Sequence, residues 1–243
     1  DFFGDLRTRQ AVAACLTANP IASEVLGARL PEGFSLPEFS SWGTLEQAQA
    51  LLDEIGWLRD EAQPEAPRKA NGVENVLDGT AFSVSLLSGT SAMDSEVSRA
   101  VVRRLADCGI EVTHQALSPE ELYAPGPEGP LFGRNFELAL VSWQKTPANP
   151  CELYRSESVP NSGNYWIGTN LAGLIDTGFD AQCVAVGNAE LVQSLGDKVD
   201  PIAKYLPAVA LMPQISVWAA SDRVDLAGSS TFADIELWRP FVP

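Results

Sequence analysis

The sequence predicts an α/β fold, a mixed sheet flanked by helices. Three observations carry it. Segments at Ala81–Leu87, which alternates apolar and polar residues, at Ile110–Gln115 and at Phe136–Trp143 have strand length and stand between segments of helical period. Residues suited to cap helices precede those periodic segments at Asp5, Thr44 and Ser118. Gly56 and Gly109 stand where two of the helices should stop. Strands alternating with helices place helices on the faces of a sheet.

Asp5 is the first N-cap, and Leu6, Gln10, Ala13, Ala14 and Leu16 follow at roughly helical spacing, with Arg7 and Arg9 expected to face water. A helix opening this early, in a chain without an initial Met, predicts a piece cut from a longer protein. Thr44 and Gln47 form a capping box for a helix ending at Ile55, with Gly56 as its left-handed stop and Trp57 packing back. Residues 59–79, rich in Pro, Glu, Arg and Asn, read as an exposed excursion. After the Ala81 strand, a helix over Ala92–Cys108 aligns Val97, Val101, Leu105 and Cys108 on one face. The Ile110 strand follows, then a short helix from Ser118 through Tyr123 and a Pro/Gly loop over 125–130. Phe136–Trp143 is a strand long enough to be buried. Asp176–Val186 and Ala189–Leu195 are expected helices. Leu206–Trp218, interrupted by Pro207 and Pro213, is expected to be a strand with an irregular edge.

The chain has 243 residues, 45% of them hydrophobic, enough for one large or two small cores. No apolar run reaches the roughly 18 residues of a membrane span. Sixteen basic against 32 acidic residues give a net charge of −16, which argues against nucleic acid as a partner. No Cys-x-x-Cys occurs, and the single histidine, His114, has no Cys or His near it in sequence, so neither a metal site nor a cofactor is expected. Four cysteines, Cys15, Cys108, Cys151 and Cys183, allow three disulfide pairings. Cys151 and Cys183 flank a Ser/Asn/Gly/Pro-rich loop with little apolar content; a bridge there is worth about 3 kcal/mol.

Several segments carry a family resemblance. Leu6-Arg-Thr-Arg-Gln-Ala-Val12 resembles the helix that opens the second lobe of family 5 extracellular solute-binding proteins, the peptide, nickel and oligosaccharide binders of ABC importers. Ala48-Gln-Ala-Leu-Leu-Asp-Glu-Ile-Gly-Trp57 resembles that family's A-x-x-L-L-x-E-A-G-W element. Asn71–Phe82, Leu105–Val112 and Phe136–Trp143 resemble three further elements, in the same order, over about residues 5–219. The resemblance implies the second lobe of a two-lobed, class II periplasmic-binding-protein-like fold: residues 1–228 as the C-terminal ligand-binding lobe, and 229–243 as a segment returning toward an N-terminal lobe outside this chain. It pairs Cys15 with Cys108, on two helices of one lobe, and Cys151 with Cys183. It implies a monomer at the periplasmic or extracellular face of the membrane, lipid-anchored in some full-length forms, that delivers a small polar solute to an ABC permease.

The resemblance also locates a site. In peptide-binding relatives the Trp ending the Phe136 strand lines the cleft, and an Asp three residues later holds the peptide ammonium. Trp143 matches the Trp; Thr146 stands in place of the Asp. Thr cannot neutralise an ammonium, and a buried unpaired ammonium is costly. A free peptide N-terminus is therefore a poor ligand; Trp143, Gln144 and Thr146 offer an aromatic face, an amide and a hydroxyl that suit a sugar ring or another polar organic solute, and Lys145 is a cation able to pair with a carboxylate or phosphate. Asn149 can replace the acid only if the loop is shifted. A second group, Asn161, Asn164, Tyr165, Trp166 and Asn170, is expected near the cleft mouth, with Tyr165 and Trp166 as a lid. Asp176 and Asp180 read as helix caps.

Enzymatic readings find little support. Ser142-Trp-Gln-Lys145 fits Ser-x-x-Lys, but no companion motif accompanies it. A Ser/His triad would depend on His114, which reads as a strand residue. There is no Gly-x-Ser-x-Gly and no phosphate-binding glycine loop. Two non-enzymatic readings remain: the binding lobe of an importer's solute receptor, or an interaction or sensory module of the same fold that no longer binds a transported solute.

Overall fold

The computed structural model describes residues 2–18, 21–27, 41–142, 150–187, 200–212, 224–225 and 239–240. Two compact units divide the chain, residues 1–213 and 214–243.

Helix α1 (Leu6–Thr17) opens at Asp5, whose carboxylate accepts from the Arg7 amide. Its second half is buried nearly all round, from Ala11 to Leu16. Arg7 faces water as expected, but Arg9 does not. The Arg9 guanidinium donates to the carbonyls of Phe3, Gly4 and Tyr205, and burial lowers its pKa. Unsatisfied carbonyls near a helix start attract a long cation even on a polar helix face. Helix α2 (Ile21–Leu26) holds Arg103 and Arg104 through Glu24. Helix α3 (Leu45–Ile55) has the full Thr44–Gln47 capping box and stops at Gly56 with φ 107°.

Strand β1 (Trp57–Leu58) follows, and Trp57 is fully buried, stacked on Phe82 with centroids 4.1 Å apart. The excursion over 59–79 is exposed along much of its length but not at Arg68, Ala70 and Val73, which are buried. Strand β2 (Lys69–Ala70) pairs antiparallel with β1. Arg68 is the reason the segment lies down. Its guanidinium donates to the carbonyls of Cys108 and Trp57 and to the Asp53 carboxylate. Its backbone bridges Gly109 and Phe82. A buried guanidinium is tolerated when its donors are matched in this way.

The central sheet has the order β4-β3-β5, with parallel pairing throughout. Strand β3 (Ser83–Gly89) leads into α4 (Ala92–Asp107), capped by Ser91, and then into β4 (Glu111–Leu117). Val97, Val101, Leu105 and Cys108 form the buried face of α4, as their spacing predicts. Helix α4 packs on β3 and β4, and α1 packs on both α3 and α4. Cys15–Cys108 clamps α1 to the end of α4, with a Cα–Cα distance of 6.2 Å. Helix α5 (Pro119–Leu122) carries its own capping box from Ser118 and Glu121.

Of the strand expected over Phe136–Trp143, the described residues 136–142 form only β5 (Leu138–Ala139), half-buried, beside Leu86 and Leu87 of β3. Just before it, the Glu137 carboxylate captures the amide and hydroxyl of Ser85, replacing backbone pairing with a side-chain bond. Helix α6 (Thr177–Gly187) matches expectation. Helix α7 (Pro201–Tyr205), capped by Asp200, is an addition. It ends at Leu206 in the left-handed region, and residues 206–212 form no strand, contrary to expectation. The helix expected over Ala189–Leu195 lies outside the described residues, as does the rest of the 206–218 segment.

In the second unit, β6 (Val224–Asp225) pairs antiparallel with β7 (Arg239–Pro240). No helix among the described residues is long and apolar enough to cross a membrane.

Candidate functional site

The carboxyl end of β5 is where a ligand site is expected in a parallel α/β sheet. The Leu140 amide donates to the Leu87 carbonyl at 2.8 Å, holding the chain to β3 one residue beyond the ladder. Val141 and Ser142 then border a pocket of about 210 Å³. Two further segments line it: Tyr123, Leu131 and Phe132 from the loop after α5, and Ile167, Thr169 and Leu171 from the Cys151–Cys183 loop. Leu131 and Leu171 also belong to the buried cluster around Leu87 and Leu122, so the pocket borders the core. Trp143, Gln144, Lys145 and Thr146, which follow Ser142 directly in the chain, lie outside the described residues, as does Asn149.

The Cys151–Cys183 loop is built around Asn170 and closed by the disulfide, with a Cα–Cα distance of 5.7 Å. Asn170 is fully buried. Its amide nitrogen donates to the carbonyls of Tyr154, Arg155 and Leu174, and its oxygen accepts from the Gly173 and Leu174 amides. Cys151, Phe179 and Cys183 form a small buried cluster against Tyr154 and Tyr205. Burial there raises the Tyr154 phenol pKa. Asp176 accepts from the Phe179 amide and so caps α6. Asp180 is not a cap: it accepts from the Ser156 amide, 24 residues back in the chain.

The group expected at the cleft mouth divides. Asn161 and Asn164 both donate to the Val159 carbonyl and cap a short 3-10 turn over Ser162–Asn164. With Asn170, they shape backbone and are committed to it. Tyr165 and Trp166 are consecutive left-handed residues, with φ of 55° and 60°. Tyr165 is 83% exposed. Trp166 lies instead against Gly126, where a methyl group would come within 2.6 Å of the indole ring. Trp166 therefore fastens one wall of the pocket to the other, and Tyr165 stands free in solvent.

Sequence reasoning passed over Tyr123, Leu131, Phe132, Ile167, Thr169 and Leu171. A signal was present: Leu131-Phe132 is an apolar pair inside a Pro/Gly loop, and Ile167 interrupts an Asn/Gly stretch. Apolar residues in a loop need something to cover them.

Elsewhere, the Ser88 hydroxyl lies 2.8 Å from His114 Nε2 across the β3–β4 ladder. Ser88 is fully buried, so no substrate reaches its oxygen, and the pair is a strand contact. Among the described residues, no group of three or more His, Cys, Asp or Glu is placed to hold a metal.

Comparison with solved structures places the architecture. The oligopeptide-binding protein of Thermus thermophilus, complexed with a pentapeptide, aligns over 86% of this chain with a TM-score of 0.64 and 19% identity. AppA of Bacillus subtilis, in complex with a nonapeptide, aligns over 99% with a TM-score of 0.62 and 18% identity. The chain has the fold of one part of a periplasmic binding protein. NikZ of Campylobacter jejuni, in complex with Ni(L-His), shares this binding-protein fold over 85% of the chain, with a TM-score of 0.62 and 14% identity. The chain spans only 38%, 48% and 41% of the length of these three proteins. No protein-family model and no curated protein matches the sequence.

Proposed function

We propose that this chain is the C-terminal ligand-binding lobe, residues 1–228, of a family 5 solute receptor serving an ABC importer. The observation that carries the reading is the pocket at the carboxyl end of β5, directly ahead of Trp143, in a chain with the binding-protein fold. The ordered motifs of the sequence support it independently. In this reading residues 229–243 return toward an N-terminal lobe, and the two lobes close on the solute by hinge motion before meeting the permease. The receptor works as a monomer at the periplasmic or extracellular face of the membrane. Trp143, Gln144, Lys145 and Thr146 line the cleft, Tyr165 borders it, and Trp166 positions the wall. Thr146 in place of an acid favours a neutral polar solute over a peptide with a free N-terminus.

Mass spectrometry of small molecules released by denaturing the gently purified full-length protein tests this. A neutral polar solute is the expected result. Peptides with free amino termini would keep the receptor and overturn the argument from Thr146. An empty protein that also fails a solute screen would favour the interaction module, which the exposed Tyr165 and Ile167 side chains would then serve.

A further inference from the structure

Resting on the receptor reading, we infer that the pocket beside β5 takes one compact, neutral apolar group of the solute, a ring or branched alkyl unit bearing a hydroxyl or N–H donor. Its volume of about 210 Å³ is below the roughly 300 Å³ at which sites for whole drug-sized ligands begin. It holds one group of a solute, not the solute entire. Leu131, Phe132, Val141, Ile167 and Leu171 supply apolar surface, and no charged side chain stands among the described residues that line it. An ammonium or carboxylate entering here loses its water and gains no counter-charge.

Three hydroxyl side chains, Tyr123, Ser142 and Thr169, line the pocket, and Thr169 sets the polarity of one hydrogen bond. Its hydroxyl already donates to the Leu153 carbonyl at 3.0 Å. A hydroxyl has one proton and two lone pairs, so Thr169 offers the pocket an acceptor only, and a solute group that bonds to it must bring the donor. The width of the pocket is fixed by Trp166 against Gly126, which joins the 123–132 wall to the 167–171 wall. Two successive aromatic residues in the left-handed region are rare, and such strain gathers at ligand clamps.

The test uses the intact protein with methyl-labelled Leu and Ile and four probes that share one ring: p-cresol, 4-methylanisole, tyramine and 4-hydroxybenzoate. Binding is read from the methyl resonances of Leu131, Ile167 and Leu171. p-Cresol should move all three residues and bind about tenfold more tightly than each of the others. Thr169→Val should reduce p-cresol to the level of 4-methylanisole and leave 4-methylanisole unchanged. Ile167→Glu, at a side chain 74% exposed and so without effect on folding, should abolish p-cresol binding. The inference is overturned if tyramine or 4-hydroxybenzoate matches p-cresol, if 4-methylanisole binds equally well, or if p-cresol moves none of these methyls. The two readings separate cleanly. p-Cresol at these methyls in a protein that carries and screens for no solute removes the receptor and keeps the pocket. A released solute that p-cresol fails to displace keeps the receptor and removes the inference.

Discussion

Tyr165 and Trp166 each hold a backbone conformation that costs an L-residue about 1–2 kcal/mol. Trp166 recovers that by packing on Gly126; Tyr165, 83% exposed, recovers little from burial. Replacing Tyr165 with Gly should therefore stabilise the protein by up to about 1 kcal/mol in urea unfolding, while weakening capture of the solute. A loss of stability would show that the ring is anchored in the fold. Asn170 is the opposite kind of residue: buried, with every polar atom matched. Asn170→Ala takes the side-chain partner from the Tyr154 and Leu174 carbonyls and from the Leu174 amide, while the Arg155 carbonyl and the Gly173 amide keep backbone partners; at about 1–3 kcal/mol for each group left dry, a loss of about 3 kcal/mol or more is expected by denaturant titration. Neither role was legible from residue type. An Asn in an Asn/Gly loop suggests surface, and only the convergence of backbone from 154, 155, 173 and 174 makes it interior.

Elements whose signals are local were legible in the sequence. The capping boxes at Thr44 and Ser118 involve residues three apart, so the chain states them directly. The same rules apply to α7, where Asp200-Pro201 is an N-cap followed by a proline at the first helical position, a local signal that sequence reasoning passed over. Strand β5 was overestimated because ladder length depends on the partner. Glu137 satisfies Ser85 with a side chain, which composition does not reveal. The disulfides give an element-scale prediction. Opening Cys15–Cys108, with a separation of 93 residues, should cost about 1 kcal/mol more than opening Cys151–Cys183, with a separation of 32, because the longer loop restricts the unfolded chain more. Paired Cys→Ser variants compared by urea unfolding measure the difference.

Over the whole molecule, the chain covers under half of the solved proteins it aligns with, and a cleft closed between two lobes needs both. The 243-residue chain by itself should bind the solute of the full-length protein with no better than millimolar affinity, read by calorimetry. Micromolar binding would place the whole site inside this chain. For the candidate pocket, the Phe136 segment that borders it was legible in the sequence. The pocket's apolar walls were not, because they come from loops well separated in sequence that meet only in space.

Arg68 also constrains the order in which the molecule assembles. A guanidinium cannot shed its water until carbonyls stand ready to receive it, and those of Trp57 and Cys108 come together only once α3 and α4 have docked. The segment carrying Arg68 should therefore be among the last to lock down during refolding, with backbone amides of residues 68–70 gaining protection after those of the two helices. The most deeply buried charge among the described residues is in that sense the latch that closes a finished core.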